Sequence, residues 1–140
     1  MAELAAEEIA DHVERATGAR LPVFAESDAA RIDGGRIFLG ATEASARLGV
    51  NREELAADAF VMRTVDGDLY IVGKGDGVKE DFRRRSGRNG TLYGAYEFLD
   101  RFLGVRWLWP GELGVHVPQR DSLRTPYPGE DELTPFSIFE

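Results

Sequence analysis

Residues 87–111 read GRNGTLYGAYEFLDRFLGVRWLWPG, and this stretch decides the fold that the sequence predicts. Apolar side chains recur at three- and four-residue spacing over 92–102, which is typical of an amphipathic helix, and Gly104 is a natural helix end. The next residues, VRWLW, alternate as in a strand that Pro110 and Gly111 stop. The stretch therefore predicts a helix that leads directly into a strand.

The chain before this stretch predicts a second main helix and a β-hairpin. Residues 2–17 carry an apolar stripe with most acidic side chains on other faces, and Gly18 follows them. Two apolar runs, 59–65 and 68–74, flank an Asp-Gly pair at 66–67. That pair is the two-residue signal most typical of a tight hairpin.

Shorter elements are predicted between the first helix and the hairpin. Residues 21–26 and 36–40 read as strands, and 41–49 as a short helix in which Thr42 and Ser45 make a poor capping box. Each main helix has a single apolar stripe to bury. The sequence therefore predicts an α+β fold, with a mixed or antiparallel sheet and two main helices packed on one face.

Composition excludes several classes of partner. The 140 residues carry a net charge of −8, whereas generic nucleic-acid binding needs a basic field, and they include no cysteine, which excludes disulfides and thiolate metal sites. No window approaches the roughly 20 apolar residues of a membrane span. The acidic N-terminal segment is unlike a signal peptide. We therefore expect no nucleic-acid or membrane partner, and localisation stays open.

The histidines give no sign of a metal centre or of catalysis. His12 and His116 lie far apart in the sequence, and neither has a second histidine or a carboxylate at ligand spacing. His12 lies among alanines and glutamates, so we expect it to be exposed. The sequence predicts no metal site, no cofactor and no catalytic residue in this chain.

Trp107 and Trp109 are the two tryptophans, and in a strand both would point to one face with Leu108 on the other. Two interpretations stay open, because aromatic side chains anchor cores and interdomain surfaces but also form platforms for sugars. On the first interpretation, Trp107 is largely buried and Trp109 lies closer to an interface.

On the second interpretation, arginines near the start of the helix would join the aromatic side chains. Their forked donors and the helix dipole can bind a carboxylate or phosphate, although a solvated loop whose arginines pair with acidic groups is the more common arrangement. A sugar bound in this way would be acidic. The candidate carbohydrate-binding residues are Trp107, Trp109, Tyr93, Arg85 and Arg88.

Four segments together resemble the non-catalytic domain that precedes the catalytic barrel in alpha-glucuronidase-like glycoside hydrolases, beta-N-acetylhexosaminidases and alpha-N-acetylglucosaminidases. They are AAEEIADHVERATGARLPV, GGRIFLG, DAFVMRTVDGDLYIVGKG and GRNGTLYGAYEFLDRFLGVRWLWPGELGVHVP. The resemblance implies an accessory α+β domain over 1–118 and a connector toward a barrel over 119–140. It also implies a glycan-processing parent enzyme whose catalytic carboxylates lie in that barrel.

The motif of this family has a physical reading in the present sequence. Gly87 and Gly90 would let the loop turn tightly into the helix, Asn89 or Thr91 would cap its free amides, and Gly94 would let the helix approach the sheet.

One departure from the family concerns the edge of the sheet. Family members usually have a strand before the first helix, which here begins at about residue 3. An open sheet edge would then allow self-association. Without a barrel, Trp109, Phe136 and Phe139 are expected to be exposed.

Overall fold

The computed structural model describes residues 1–74 and 89–123. Its main elements, in chain order, are α1 (Ala2–Thr17), β1 (Ile37–Leu39), α2 (Glu43–Ala46), β2 (Phe60–Val65), β3 (Asp68–Gly73), α3 (Gly90–Phe98), β4 (Arg106–Trp107) and β5 (Val115–His116). A π-helical turn, Leu99–Leu103, continues α3, and 3-10 turns occupy Glu26–Arg31, Arg52–Glu54 and Glu112–Gly114. In the described part, no helix is long and apolar enough to cross a membrane.

The described residues form a three-stranded sheet in the order β1-β3-β2. β1 runs parallel to β3, and β2 pairs antiparallel with β3 from Phe60 opposite Gly73 to Val65 opposite Asp68. The two turn residues between β2 and β3 both have positive φ, 52° and 85°. This is the conformation that a two-residue hairpin of type I′ requires, so the predicted hairpin and mixed sheet are confirmed.

Both main helices pack on one face of this sheet, as predicted. α3 contacts β2 and β3, and α1 contacts α3 and β1. Side chains without solvent exposure fill the space between them. They include Ala5, Ile71, Leu92, Phe98 and Leu99.

The opposite face of the sheet is covered by the segment between α1 and β2. Phe38 and Tyr70 stack there with ring centroids 4.9 Å apart, next to Val72. Leu48 and Val50 pack against this second cluster. Because both faces are covered, every residue of β3 is buried, including the alternate positions that would face solvent in a one-sided sheet.

Glycines bring α3 and β3 into close contact. A Cβ on Gly90 would collide with the backbone carbonyl of Ala59, and one on Gly94 would collide with the side chain of Ile71. The close approach of helix and sheet expected at Gly94 is therefore present. Gly90 lies at a second close contact, where a Cβ would not fit. Gly87 lies outside the described residues.

The expected cap of α3 is not formed. Asn89 makes no side-chain cap hydrogen bond, and its backbone amide donates to Asp58 Oδ1 at 2.9 Å. The hydroxyl of Thr91 instead accepts from the amide of Gly73 at 3.1 Å. The Thr91 side chain therefore ties the helix to the end of β3.

The prediction of a strand over 21–26 is wrong. No strand is present there, and a 3-10 turn begins at Glu26. The Glu26 carboxylate accepts from the backbone amides of Glu43 and Ala44 at 3.0 and 2.9 Å. These bonds satisfy free donors at the start of α2, so the segment serves as a cap rather than as a strand.

The capping box expected to be poor is complete. Thr42 Oγ1 accepts from the amide of Ser45 at 2.9 Å, and Ser45 Oγ accepts from the amide of Thr42 at 2.9 Å. The serine hydroxyl thus does what glutamate usually does at this position. Its short side chain is sufficient because Ser45 is buried against the turn.

The strand predicted over 105–109 is shorter than expected, with two residues, Arg106–Trp107. It pairs antiparallel with Val115–His116. The chain after 118, predicted to be a connector, contacts the domain as far as it is described. The amide of Arg120 donates to Ala16 O at 2.8 Å, and Leu123 packs against the core.

Candidate functional site

Three of the five candidate carbohydrate-binding residues lie in the described part: Tyr93, Trp107 and Trp109. Arg85 and Arg88 lie outside the described residues. Trp107 is 41% exposed, so the expectation that it is largely buried is wrong. β4 is a two-residue strand outside the main sheet, and it therefore has no sheet face that would cover the indole.

Trp107 is nevertheless held by two rings. The Tyr96 ring meets it edge-on with centroids 5.2 Å apart, and the His12 ring lies tilted at 5.7 Å. Edge-to-face contacts of this kind fix an indole while leaving part of its surface free. α1 and α3 each supply one of these neighbours, so the packing of the two helices positions Trp107.

Tyr96 is a neutral phenol in this arrangement. Burial raises its pKa to about 12, and the negative charge of Glu8 adds to the rise. The sequence did not single out Tyr96 for a site, because its place in the apolar stripe of α3 is equally typical of a core residue.

His12 is buried, with 6% of its surface exposed, so the expectation that it is exposed is wrong. Its Nδ1 lies 2.8 Å from the backbone carbonyl of Glu8, whereas its Nε2 has no hydrogen-bond partner in the described structure. The sequence did contain a signal for the burial of His12, because this residue falls on the same helical stripe as Ala5, Ile9 and Ala16. The glutamates around His12 in the sequence led instead to the prediction that it is exposed.

His12 lines an open depression of about 480 Å³ beside α1. The other lining residues are charged: Glu8, Asp11, Glu14, Arg15 and Glu112. The lining thus contains four carboxylates and one arginine. The carboxylates of Asp11 and Glu14 are also bridged by Arg20 Nη1, 2.7 Å from each, in an exposed network. The lining residues carry more negative than positive charge, and Glu8 and Glu112 are the carboxylates outside the Arg20 network.

Trp109 lies beyond β4 in an exposed apolar group. Trp109 is 56% exposed, Leu113 is 92% exposed, and Leu108 is exposed as well. The amide of Leu108 donates to Gly114 O at 2.8 Å, which closes the turn that presents these side chains. Large apolar side chains that are exposed close together along the chain mark contact surfaces more often than isolated ones do. We refer to Leu108, Trp109 and Leu113 as the apolar turn.

One buried carboxylate outside the depression is structural. Asp68 accepts from the Nε and Nη2 atoms of Arg36 at 3.1 and 2.5 Å and from its backbone amide at 3.0 Å. Hydrogen bonding to Asp68 raises the pKa of Arg36. Through these bonds Asp68 ties the start of β3 to the residue before β1.

Within 1–74 and 89–123, no group of three or more His, Cys, Asp and Glu side chains could hold a metal ion. The arrangement is suited to binding through an indole, an imidazole and carboxylates.

Comparisons with protein-family models, with curated proteins and with solved structures give no match to this chain. The resemblance to the accessory domain of glycoside hydrolases therefore stays a prediction, and the geometry described above carries the functional argument.

Proposed function

We propose that this chain is a non-catalytic accessory domain of an alpha-glucuronidase-like glycoside hydrolase and that it packs on the catalytic barrel of the same polypeptide. The observation that carries the proposal is the apolar turn, which exposes a tryptophan and two leucines within the last segment that resembles this family. Burying these side chains against a partner would be favourable, at roughly 25 cal/mol per Å² of apolar surface.

The packing of the family motif supports the same proposal. The glycines at 90 and 94 serve the contact between helix and sheet, which is a structural task rather than a chemical one. An accessory domain needs a rigid framework that holds its contact surface in place. Here the core formed by α1 and α3 positions β4, and β4 leads into the apolar turn.

A domain of this kind is inactive alone. We expect the 140-residue chain to show no turnover of aryl glycosides, and we expect the parent reading frame to encode a barrel with paired carboxylates. A rate that disappears when one carboxylate of this chain is changed would overturn the proposal.

The contact itself can be tested in the parent polypeptide by proteolysis and thermal unfolding. Leu113→Asp places a charge in the proposed interface, so the domain should separate from the barrel and the linking segment should be cleaved faster. Phe24→Ala changes another exposed apolar residue, which lies outside the apolar turn, and should leave cleavage unchanged. Equal cleavage of Leu113→Asp and the unchanged protein would contradict the proposed contact.

A dimerising module is a second candidate, and the sheet edge favours it. In the described part of the chain, β2 pairs with β3 alone, so its other side is an edge that a second copy could extend. In that case, light scattering would give a mass that rises with concentration toward the dimer. A monomer across all concentrations would exclude this alternative.

A further inference from the structure

We propose that residues 117–123, which we call the strap, clasp the C-terminal ends of both main helices through Arg120 and thereby fix the direction in which the chain leaves the domain. The strap follows β5 directly. A connector without tertiary contacts would leave the next part of the polypeptide free to turn. A clasped strap makes the domain and its exit move as one body.

The strap supplies hydrogen-bond donors to the ends of both helices. The amide of Arg120 donates to Ala16 O at 2.8 Å, and Gln119 Nε2 donates to Arg15 O at 2.9 Å. Arg120 Nε donates to Leu103 O at 3.0 Å, at the end of the π-helical turn that continues α3. The last carbonyls of a helix have no partner within the helix, so the strap satisfies acceptors that would otherwise need water.

The charge of Arg120 favours the same position. The C-terminal end of a helix carries a partial negative charge, and a cation beside it is stabilising. The guanidinium of Arg120 is bonded at the end of α3, while its backbone amide is bonded at the end of α1. One residue therefore joins the two helices, and displacing the strap removes partners from both.

Gly104 leaves the space in which the strap lies. It ends the π-helical turn with φ 78°, and an added Cβ would be 3.0 Å from Arg120 Nη2 and 3.2 Å from Pro118 Cγ. Both distances are shorter than ordinary van der Waals contact. The left-handed backbone already favours glycine at this helix end, and the missing side chain also lets the strap lie against it.

Apolar side chains hold the strap at both of its ends. Val117 and Leu123 pack against the main core, which is formed largely by buried side chains of α1, α3 and the sheet. These anchors lie on either side of Arg120 and restrict the path of the backbone between them. The hydrogen bonds of the clasp therefore form with less loss of conformational entropy than they would in a free segment.

The consequence for a catalytic barrel rests on the proposed function. The apolar turn precedes β5 and the strap follows it, so the contact surface and the covalent link to the barrel lie on either side of one short strand in the chain. The barrel would then be held at two points that belong to the same rigid framework. Loss of the clasp would free the link and leave the contact surface in place.

The experiment measures the distance between two spin labels in the 140-residue chain by pulsed electron paramagnetic resonance. The protein has no cysteine, so Glu3→Cys and Ser122→Cys provide the two thiols for labelling. Both residues are exposed, and about 20 Å of α1 lies between Glu3 and the strap contact at Ala16. We expect one narrow distance distribution, because the clasp holds the strap to α1.

Removing the side-chain bonds of the clasp should release the strap. Gln119→Ala combined with Arg120→Ala should broaden the distance distribution at least about twofold. Arg31→Ala is the matched control, because the Arg31 side chain is 84% exposed and pairs with Asp28, outside the strap. Its distribution should equal that of the unchanged labelled chain.

A second pair of variants tests the space at Gly104. Gly104→Ala adds a Cβ where the strap lies and should broaden the distribution. Gly18→Ala introduces the same backbone strain, since Gly18 has φ 77°, but its Cβ would have no neighbour within 4 Å. A broader distribution for Gly104→Ala alone therefore reports displacement of the strap rather than strain at a helix end.

Circular dichroism and thermal unfolding separate loss of the clasp from loss of the fold. The double alanine variant should keep its helix content and unfold about 3–6 °C lower. A broad distribution in the unchanged chain would overturn the inference, and so would a narrow one in the double alanine variant. If that variant does not fold, equal distributions for Gly104→Ala and Gly18→Ala overturn it instead. The labels lie within this domain, so a parent without a barrel would reject the accessory function alone.

Discussion

Gly90→Ala is expected to destabilise the domain by about 3 kcal/mol or more, although alanine is the better helix former by about 1 kcal/mol. Gly90 is the first residue of α3, and an added Cβ would meet the backbone carbonyl of Ala59 and the Cα of Gly73. Backbone atoms of β3 and of the residue before β2 cannot rotate away as a side chain does. The helix would have to move off the sheet, and the core between them would open.

Urea unfolding followed by circular dichroism measures this loss, and Gly18→Ala provides the control. Gly18 ends α1 in the left-handed conformation with φ 77°, and a Cβ there has no neighbour within 4 Å. Its replacement should cost only the strain of that conformation, roughly 1–2 kcal/mol. A Gly90→Ala protein as stable as the unchanged chain would contradict the close contact between α3 and β3.

Phe98→Ala has the second large expected effect, a loss of about 3–5 kcal/mol in the free energy of unfolding. Phe98 is fully buried at the end of α3, and its ring packs on Phe102 at 5.5 Å. Removing it leaves a cavity in the main core, where the surrounding side chains of both helices cannot collapse completely. Domains of this size are stable by about 5–15 kcal/mol, so the variant will be close to unfolding.

The same measurement on Phe24→Ala gives the matched comparison, because the chemical change is identical and Phe24 is 53% exposed. We expect its stability to change by about 0.5 kcal/mol or less. Similar losses for the two phenylalanines would mean that Phe98 does not belong to the core.

Local signals in the sequence were sufficient for the hairpin and for both main helices. The Asp-Gly pair at 66–67 needs only its own backbone preferences to form the turn, and the stripes of α1 and α3 repeat at helical spacing. The prediction of a strand over 21–26 was wrong because local signals do not show whether a pairing partner is available. An apolar run can pair as a strand only beside a neighbour, and Glu26 is bound to the start of α2 instead.

The candidate site was predictable only in part. Trp107 could be singled out as an aromatic residue, but its exposure depends on β4 lying outside the main sheet. Glu112 could not be placed beside Glu8 and His12 from the sequence, because it lies about 100 residues further along the chain. Their contribution to one surface follows from how α1 packs against α3 and the residues that follow it.

The sequence by itself determined the two main helices, the α+β class, the turn at 66–67 and the acidic charge, because these depend on composition and on spacing along the chain. The tertiary structure decided the burial of His12, the exposure of Trp107 and the gathering of carboxylates beside them. Burial and electrostatic potential are sums over neighbours in space, and those neighbours exist only once the helices and the sheet have packed.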